Sequence, residues 1–235
     1  LVKCTPTGLL DYRPITLLEV LAKLLESVVW RRVLKLWNLS DTGNPLVPLT
    51  QGGFVPRRGT AEQLWSLAAM IDAARKDGVS LMAVSLDAKK AFDRMTAFTV
   101  IEELLRRRDI FDDAFIRFAW HWLRGHRRLL RVGPGGKVID GDIGFVTRVG
   151  TPQGSILSPF FFVVGLSSLE RALQDTVQRR GLAARISARM KIVDRLIISL
   201  YYADDTLLMA TDDELVKALV ETAFAWARTH AGMEY

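Results

Sequence analysis

Apolar residues recur every three or four positions along several stretches of the chain, and each such stretch predicts a helix. Leu18, Leu21, Leu25, Val28 and Val29 line one side of a segment from Leu17 to about Trp37, so this helix should be amphipathic. Further helices are expected over Ala61 to about Lys76, ending at Gly78, over Phe98 to Arg108, and over the aromatic-rich Asp112 to Arg124. Two more run from Ile156 to about Leu173 and from Asp212 to about His230, the last ending before Gly232. Thr16 with Glu19, Thr60 with Gln63 and Thr211 with Glu214 pair a hydroxyl with a long polar side chain three residues on, and read as capping boxes. Between the helices lie short β-prone runs: Val79 to Leu86, Ile197 to Tyr202 and Thr206 to Ala210. From Arg127 to Val149, glycines punctuate pieces such as Leu129 to Val132 and Phe145 to Val149, which predicts hairpins. The fold class is therefore α+β. No internal repeat breaks the chain, and no clean boundary separates independent domains.

Composition narrows the function. A chain of 235 residues with 49% hydrophobic content supports one large domain or two small lobes around a real core. A net charge of +6 favours a polyanionic partner. The single cysteine, Cys4, excludes an intrachain disulfide framework and a zinc cluster built on several thiolates, and fits a reducing, intracellular setting. No apolar stretch approaches the length of a bilayer span, so no membrane partner is expected. The chain begins at Leu1 without a signal core, and reads as cut from something longer. His121, His126 and His230 lack metal-ligand spacing and read as structural.

The chemistry starts at Tyr201-Tyr202-Ala203-Asp204-Asp205, two adjacent carboxylates inside an apolar, β-prone run. A tight turn between strands would place them, and buried unpaired charge there asks for a cation. A third acid, Asp87, directly follows the strand ending at Leu86. If the two strands are neighbours, Asp87, Asp204 and Asp205 converge. Hard oxygen donors suit Mg²⁺, and a pair of such ions serves phosphoryl transfer. Gly150-Thr151-Pro152-Gln153-Gly154-Ser155, feeding the helix from Ile156, offers close backbone approach and an amide able to bond a sugar, phosphate or base.

Together these segments resemble the reverse transcriptase domain, particularly that of non-LTR retrotransposons. Asp87 to Asp93 resembles the family's first catalytic motif, Gly150 to Pro159 its nucleotide-positioning motif, and Tyr202 to Asp205 its second catalytic motif. Asp11 to Leu18 and Gln51 to Thr60 are similar to two fingers motifs, so the match covers nearly the whole chain in order. The resemblance implies an RNA-directed DNA polymerase with RNA template, DNA primer and deoxynucleoside triphosphates as partners. It implies two Mg²⁺ ions, or Mn²⁺, held by Asp87, Asp204 and Asp205, with Asp204 bridging. Phe92 matches an aromatic gate against the 2′-hydroxyl; Gln153, Gly154 and Tyr202 match nucleotide contacts; Arg13, with Lys3 as a weaker second cation, matches a triphosphate-binding position. Arg57, Arg58, Arg127 and Arg128, with Arg124 and Arg131 beside the latter pair, are candidates for template or primer phosphates. The implied architecture is a right-hand polymerase, with fingers over about 1–80 and 98–149 and a palm over about 81–97 and 150–235. The palm should be an antiparallel sheet packed on helices. The residues after Asp205 are too few for the family's thumb, and no endonuclease, zinc knuckle or RNase H segment is recognised. A group II intron or retron polymerase, and a catalytically silent RNA-binding scaffold, are the alternatives; nuclear work is implied only for a eukaryotic non-LTR element.

Overall fold

A computed structural model describes residues 16–40, 45–125, 127–129, 144–146, 149–180, 191–192 and 195–232. Its centre is a three-stranded antiparallel sheet of β1 (Met82–Leu86), β6 (Ser199–Tyr202) and β7 (Asp205–Ala210), in the order β1-β7-β6. The expected hairpin of β6 and β7 is present, with Tyr202 paired to Asp205 across a two-residue turn. Two minor ladders join β2 (Arg127–Leu129) to β3 (Gly144–Val146) and β4 (Lys191–Ile192) to β5 (Arg195–Leu196). β1 begins later than the expected Val79, because Val79 N–H still closes the cap of the preceding helix by donating to Ala74.

The helices are α1 (Val20–Ser40), α2 (Thr60–Asp77), α3 (Ala91–Arg94), α4 (Ala97–Arg106), α5 (Asp113–Arg124), α6 (Ser158–Arg179) and α7 (Asp213–Trp226). A π-helical turn, Ala227–Ala231, follows α7 and ends at Gly232 with φ +59°. None of the three expected capping boxes forms as read, and at two of them a neighbouring acid caps the helix instead. α1 starts after Glu19, whose carbonyl accepts from Lys23, while Thr16 N–H turns instead to Gln153 O at 2.8 Å. At α2 the Glu62 carboxylate accepts from Gly59 N–H at 2.8 Å, one register earlier than Thr60 and Gln63. At α7 the Asp212 carboxylate, not the Thr211 hydroxyl, accepts from Leu215 N–H at 3.1 Å. A charged acceptor at a helix N-terminus gains from both the hydrogen bond and the helix dipole, which favours the acid over the adjacent hydroxyl.

α6 runs through the core. Phe160 to Leu166 are all buried, so this helix has no wet face over nearly two turns. It extends beyond the expected Leu173 because Thr176 and Val177 remain buried. Trp30 and Trp37 of α1, and Phe111 and Phe115 around the start of α5, pack against Phe160 with ring centroids 5.7–6.3 Å apart. α1 therefore meets the core through Glu26, Val33 and Trp37, with Val29 and Trp30 partly buried beside them. Leu21, Leu25 and Val28, expected on the buried side, are exposed. Two sides of this helix are apolar, so periodicity could not choose between them; the aromatic cluster did. No helix among the described residues is long and apolar enough to cross a membrane.

Candidate functional site

The Ala203-Asp204 turn projects from the end of the central sheet. Ala203 has φ +57°, a left-handed conformation that a two-residue hairpin normally assigns to glycine. β1 pairs with β7 so that Leu86 faces Thr206. Carried one residue further, this register sets Asp87 opposite Asp205. Leu86 and Thr206 are buried, so strand alternation puts Asp87 and Asp205 on the other face; both are exposed and Asp204 is half-buried. Directly opposed residues lie about 5 Å apart at Cβ, which places the first acid beside the second motif as the sequence required.

The side chains do not close into a ligand set. Among the described residues no three His, Cys, Asp or Glu side chains are grouped so that they could hold an ion. The expected three-acid centre is thus present as a placement of backbone and not as an assembled cage. The donor chemistry itself fits Mg²⁺ or Mn²⁺, since such ions take a few carboxylate oxygens and fill their remaining positions with water or substrate phosphate.

The second wall of the site is aromatic. After Asp87, Lys90 takes φ +53° and turns the chain into the single helical turn α3, which carries Phe92. The Phe92 ring stacks on Phe162 of α6 at 4.2 Å and meets Phe54 edge-on at 5.7 Å. The Gly150–Ser155 loop docks on this turn: Thr151 N–H donates to Phe92 O at 2.7 Å, Gly150 N–H to Met95 O at 2.9 Å, and Gln153 Nε2 to Asp93 Oδ2 at 3.2 Å. Gly150, at φ +87°, admits no side chain, because a Cβ there would lie 2.4 Å from Asp93 O. Phe92 and Gln153 are thus joined through the docked loop, in which Gly154 is exposed. Tyr202 is also exposed.

Three polar residues that the sequence did not single out, Glu26 and Gln51 buried and Glu170 partly buried, build this arrangement. Glu26, 2% exposed, accepts from Ser155 Oγ at 2.9 Å, Ile156 N–H at 2.8 Å and Trp122 Nε1 at 3.0 Å, and so ties the loop to α1 and α5. Glu170 of α6 accepts from Tyr201 Oη at 3.0 Å, from Ser199 Oγ and from Gln174 Nε2, anchoring β6 from behind. Burial pushes the Glu170 carboxyl above the usual glutamate range, against the opposing pull of these hydrogen bonds. Gln51 bonds the Ala203-Asp204 turn itself: its Oε1 accepts from Ala203 N–H at 3.0 Å and its Nε2 donates to Ala203 O at 3.2 Å. An acid or amide inside an otherwise apolar helical face, as Glu26 is, was the available signal.

The basic residues are placed unevenly. Arg57 is exposed in a left-handed conformation, whereas Arg58 Nη1 donates inward to Pro48 O and Gln51 O at 2.8 and 3.2 Å, bracing the loop that carries Gln51. Arg124 lies over Trp120, 4.6 Å from the ring centroid. The backbones of Arg127 and Arg128 lie in β2. Arg13, Lys3, Arg131 and the side chains of Arg127 and Arg128 lie outside the described residues.

Comparison with known proteins agrees with this geometry. The "Retrovirus-related Pol polyprotein from type-1 retrotransposable element R2" of Popillia japonica is 28% identical over 212 residues, covering 90% of this chain and 27% of the relative. The "Probable RNA-directed DNA polymerase from transposon BS" of Drosophila melanogaster is 31% identical, covering 68% of this chain and 16% of the relative. The "RNA-directed DNA polymerase from mobile element jockey" of the same organism is 24% identical, with 91% and 20% covered. The chain thus spans roughly a quarter or less of the length of these relatives. Among solved structures, apo telomerase from Candida tropicalis truncated from its C-terminal domain superposes with a TM-score of 0.60 at 15% identity, covering 89% of this chain and 39% of that one. The same telomerase in complex with a TWJ fragment of telomeric RNA gives 0.54 at 14% identity, with 91% and 33% covered. Residues 6–234 match the family described as reverse transcriptase (RNA-dependent DNA polymerase), and the chain belongs to that family, with non-LTR retrotransposon proteins among its relatives.

Proposed function

We propose that the chain is the polymerising part of an RNA-directed DNA polymerase from a non-LTR retroelement. The observation that carries this reading is the β1–β7 register, which brings Asp87 to the same strand end as Asp204 and Asp205. The three carboxylates would hold two divalent cations, Mg²⁺ or Mn²⁺, which supply Lewis acidity toward the reacting hydroxyl and neutralise triphosphate charge. The chain's own residues position the reactants. Phe92, wedged between Phe54 and Phe162, presents a rigid ring to the sugar of the incoming deoxynucleotide and excludes a 2′-hydroxyl. Gln153 and Gly154 contact that nucleotide and its templating base, and Tyr202 is a further contact to the nucleotide. Attack of the primer 3′-hydroxyl on the α-phosphate then releases pyrophosphate in line, with geometry and electrostatics supplying the rate. RNA template, DNA primer and deoxynucleotides are the partners, and a telomerase of the same fold has been solved with an RNA fragment.

The central sheet and the helices α6 and α7 correspond in this reading to the palm, over about 81–97 and 150–235, with fingers over about 1–80 and 98–149. Primer extension on an RNA template by the full-length parent tests the site. Asp204→Asn should lower the rate by on the order of 10²-fold or more. Extension at the parental rate would remove Asp204, and with it the proposed centre.

A further inference from the structure

The turn that carries the two acids cannot hold its shape by its own sequence. A left-handed alanine is strained relative to the ordinary backbone regions, so Ala203 at φ +57° must be fixed by its surroundings. Its surroundings are one side chain and one glycine from a segment about 150 residues earlier. Gln51, 2% exposed, bonds both peptide groups of Ala203: Oε1 accepts from Ala203 N–H at 3.0 Å, as well as from Gly53 N–H at 2.8 Å in its own segment, and Nε2 donates to Ala203 O at 3.2 Å. The two N–H donors facing Oε1 fix which way the amide points, since a flipped amide would oppose donor to donor. Gly53 closes the other side. A Cβ there would stand 2.1 Å from Ala203 N, so the two backbones touch directly.

The Gln51 backbone is itself braced. Gly52 N–H donates to Tyr201 O at 2.8 Å and Tyr201 N–H to Thr50 O at 2.9 Å, laying the segment alongside β6, and Arg58 holds the Gln51 carbonyl from behind. The peptide groups of a two-residue turn lie beyond the strand ladder and commonly meet water. Here both groups of Ala203 meet a fixed amide.

We propose that Gln51 is a positioning residue for the catalytic turn, clamping the Ala203 peptide groups so that the following Asp204 and Asp205 stand in register with Asp87. The proposal rests on the polymerase reading given above. Gln51 touches no reactant; it acts through the backbone of Ala203.

The test uses the full-length parent. Gln51→Met keeps side-chain length and removes all three hydrogen bonds. Gln51→Asn keeps an amide that falls one methylene short of the turn, and is the variant to rely on if the first does not fold. Loss of a group that orients metal ligands typically lowers affinity or activity about 10- to 100-fold. Single-turnover nucleotide addition should fall by that order at saturating deoxynucleotide, with KM for the nucleotide within about threefold of the parent. Mn²⁺ binding without nucleic acid, read by electron paramagnetic resonance, should weaken in parallel. Adding Ala203→Gly to Gln51→Met should recover part of both losses, because glycine adopts the turn without strain; a role confined to general stability gives no such rescue. A folded Gln51 variant with parental addition rate and Mn²⁺ affinity overturns the clamp. So does a loss that tracks only the unfolded fraction. If Asp204→Asn abolishes extension while Gln51 variants behave as parent, the clamp alone fails; if Asp204→Asn extends normally, the reading beneath it fails.

Discussion

Removing the Glu26 carboxylate should loosen the Gly150–Ser155 loop from the core and cost a large share of the protein's stability. The side chain is 2% exposed and accepts three hydrogen bonds, from Ser155 Oγ, Ile156 N–H and Trp122 Nε1. In Glu26→Ala the N–H groups of Ile156 and Trp122, which have no hydroxyl freedom to re-aim, lose the carboxylate to which they donate. Each of the three lost bonds costs about 1–3 kcal/mol, for roughly 3–9 kcal/mol in total. With a urea m-value of roughly 3 kcal/mol/M for a chain of this size, the unfolding midpoint should fall by about 1–3 M. Glu26→Gln discriminates further. Its oxygen can serve the Ser155 and Ile156 pair or Trp122, but its NH₂ then opposes a donor on the other side, so it should lie between the parent and Ala at about 1–3 kcal/mol. Urea unfolding followed by far-ultraviolet circular dichroism and by tryptophan fluorescence gives both midpoints. A fall of less than about 0.3 M for Glu26→Ala, or Gln costing as much as Ala, would refute the reasoning that these three bonds hold the loop.

Two further outcomes follow from the same geometry. Glu170 is an acid whose native carboxyl is pushed upward by burial, so the folded state binds the proton more tightly than the unfolded one. Its contribution is fully present below the ordinary glutamate range and is lost as pH rises through the raised native value; Glu170→Gln should flatten that fall in urea midpoint between acid and neutral pH, and an unchanged slope would exclude Glu170 as its source. Phe92→Val removes the ring stacked on Phe162 and should lower stability by about 1–3 kcal/mol while raising ribonucleotide incorporation in primer extension; unchanged sugar discrimination would take Phe92 out of the gate.

The α+β class, the hairpin bearing Asp204 and Asp205, and the strand ending before Asp87 were legible in the chain because each is a local statement. Alternation marks a strand, and a pair of turn-prone acids between two strands marks a hairpin. The family was legible for the same reason, since its motifs are short runs in fixed order. Local pattern could not decide which of two apolar sides of α1 is buried. That depended on Trp30 and Trp37 finding Phe160, more than 120 residues away. Nor could it show that Gln51 and Ala203 meet, or that Glu26 holds the start of α6, because each role is defined by hydrogen bonds spanning 130 to 152 residues. A buried polar side chain is chosen by what lies opposite it, and the sequence around it says only that it is polar. Sequence thus determined which acids stand ready and on which strands; the tertiary structure alone decided what keeps the turn between them in its strained shape.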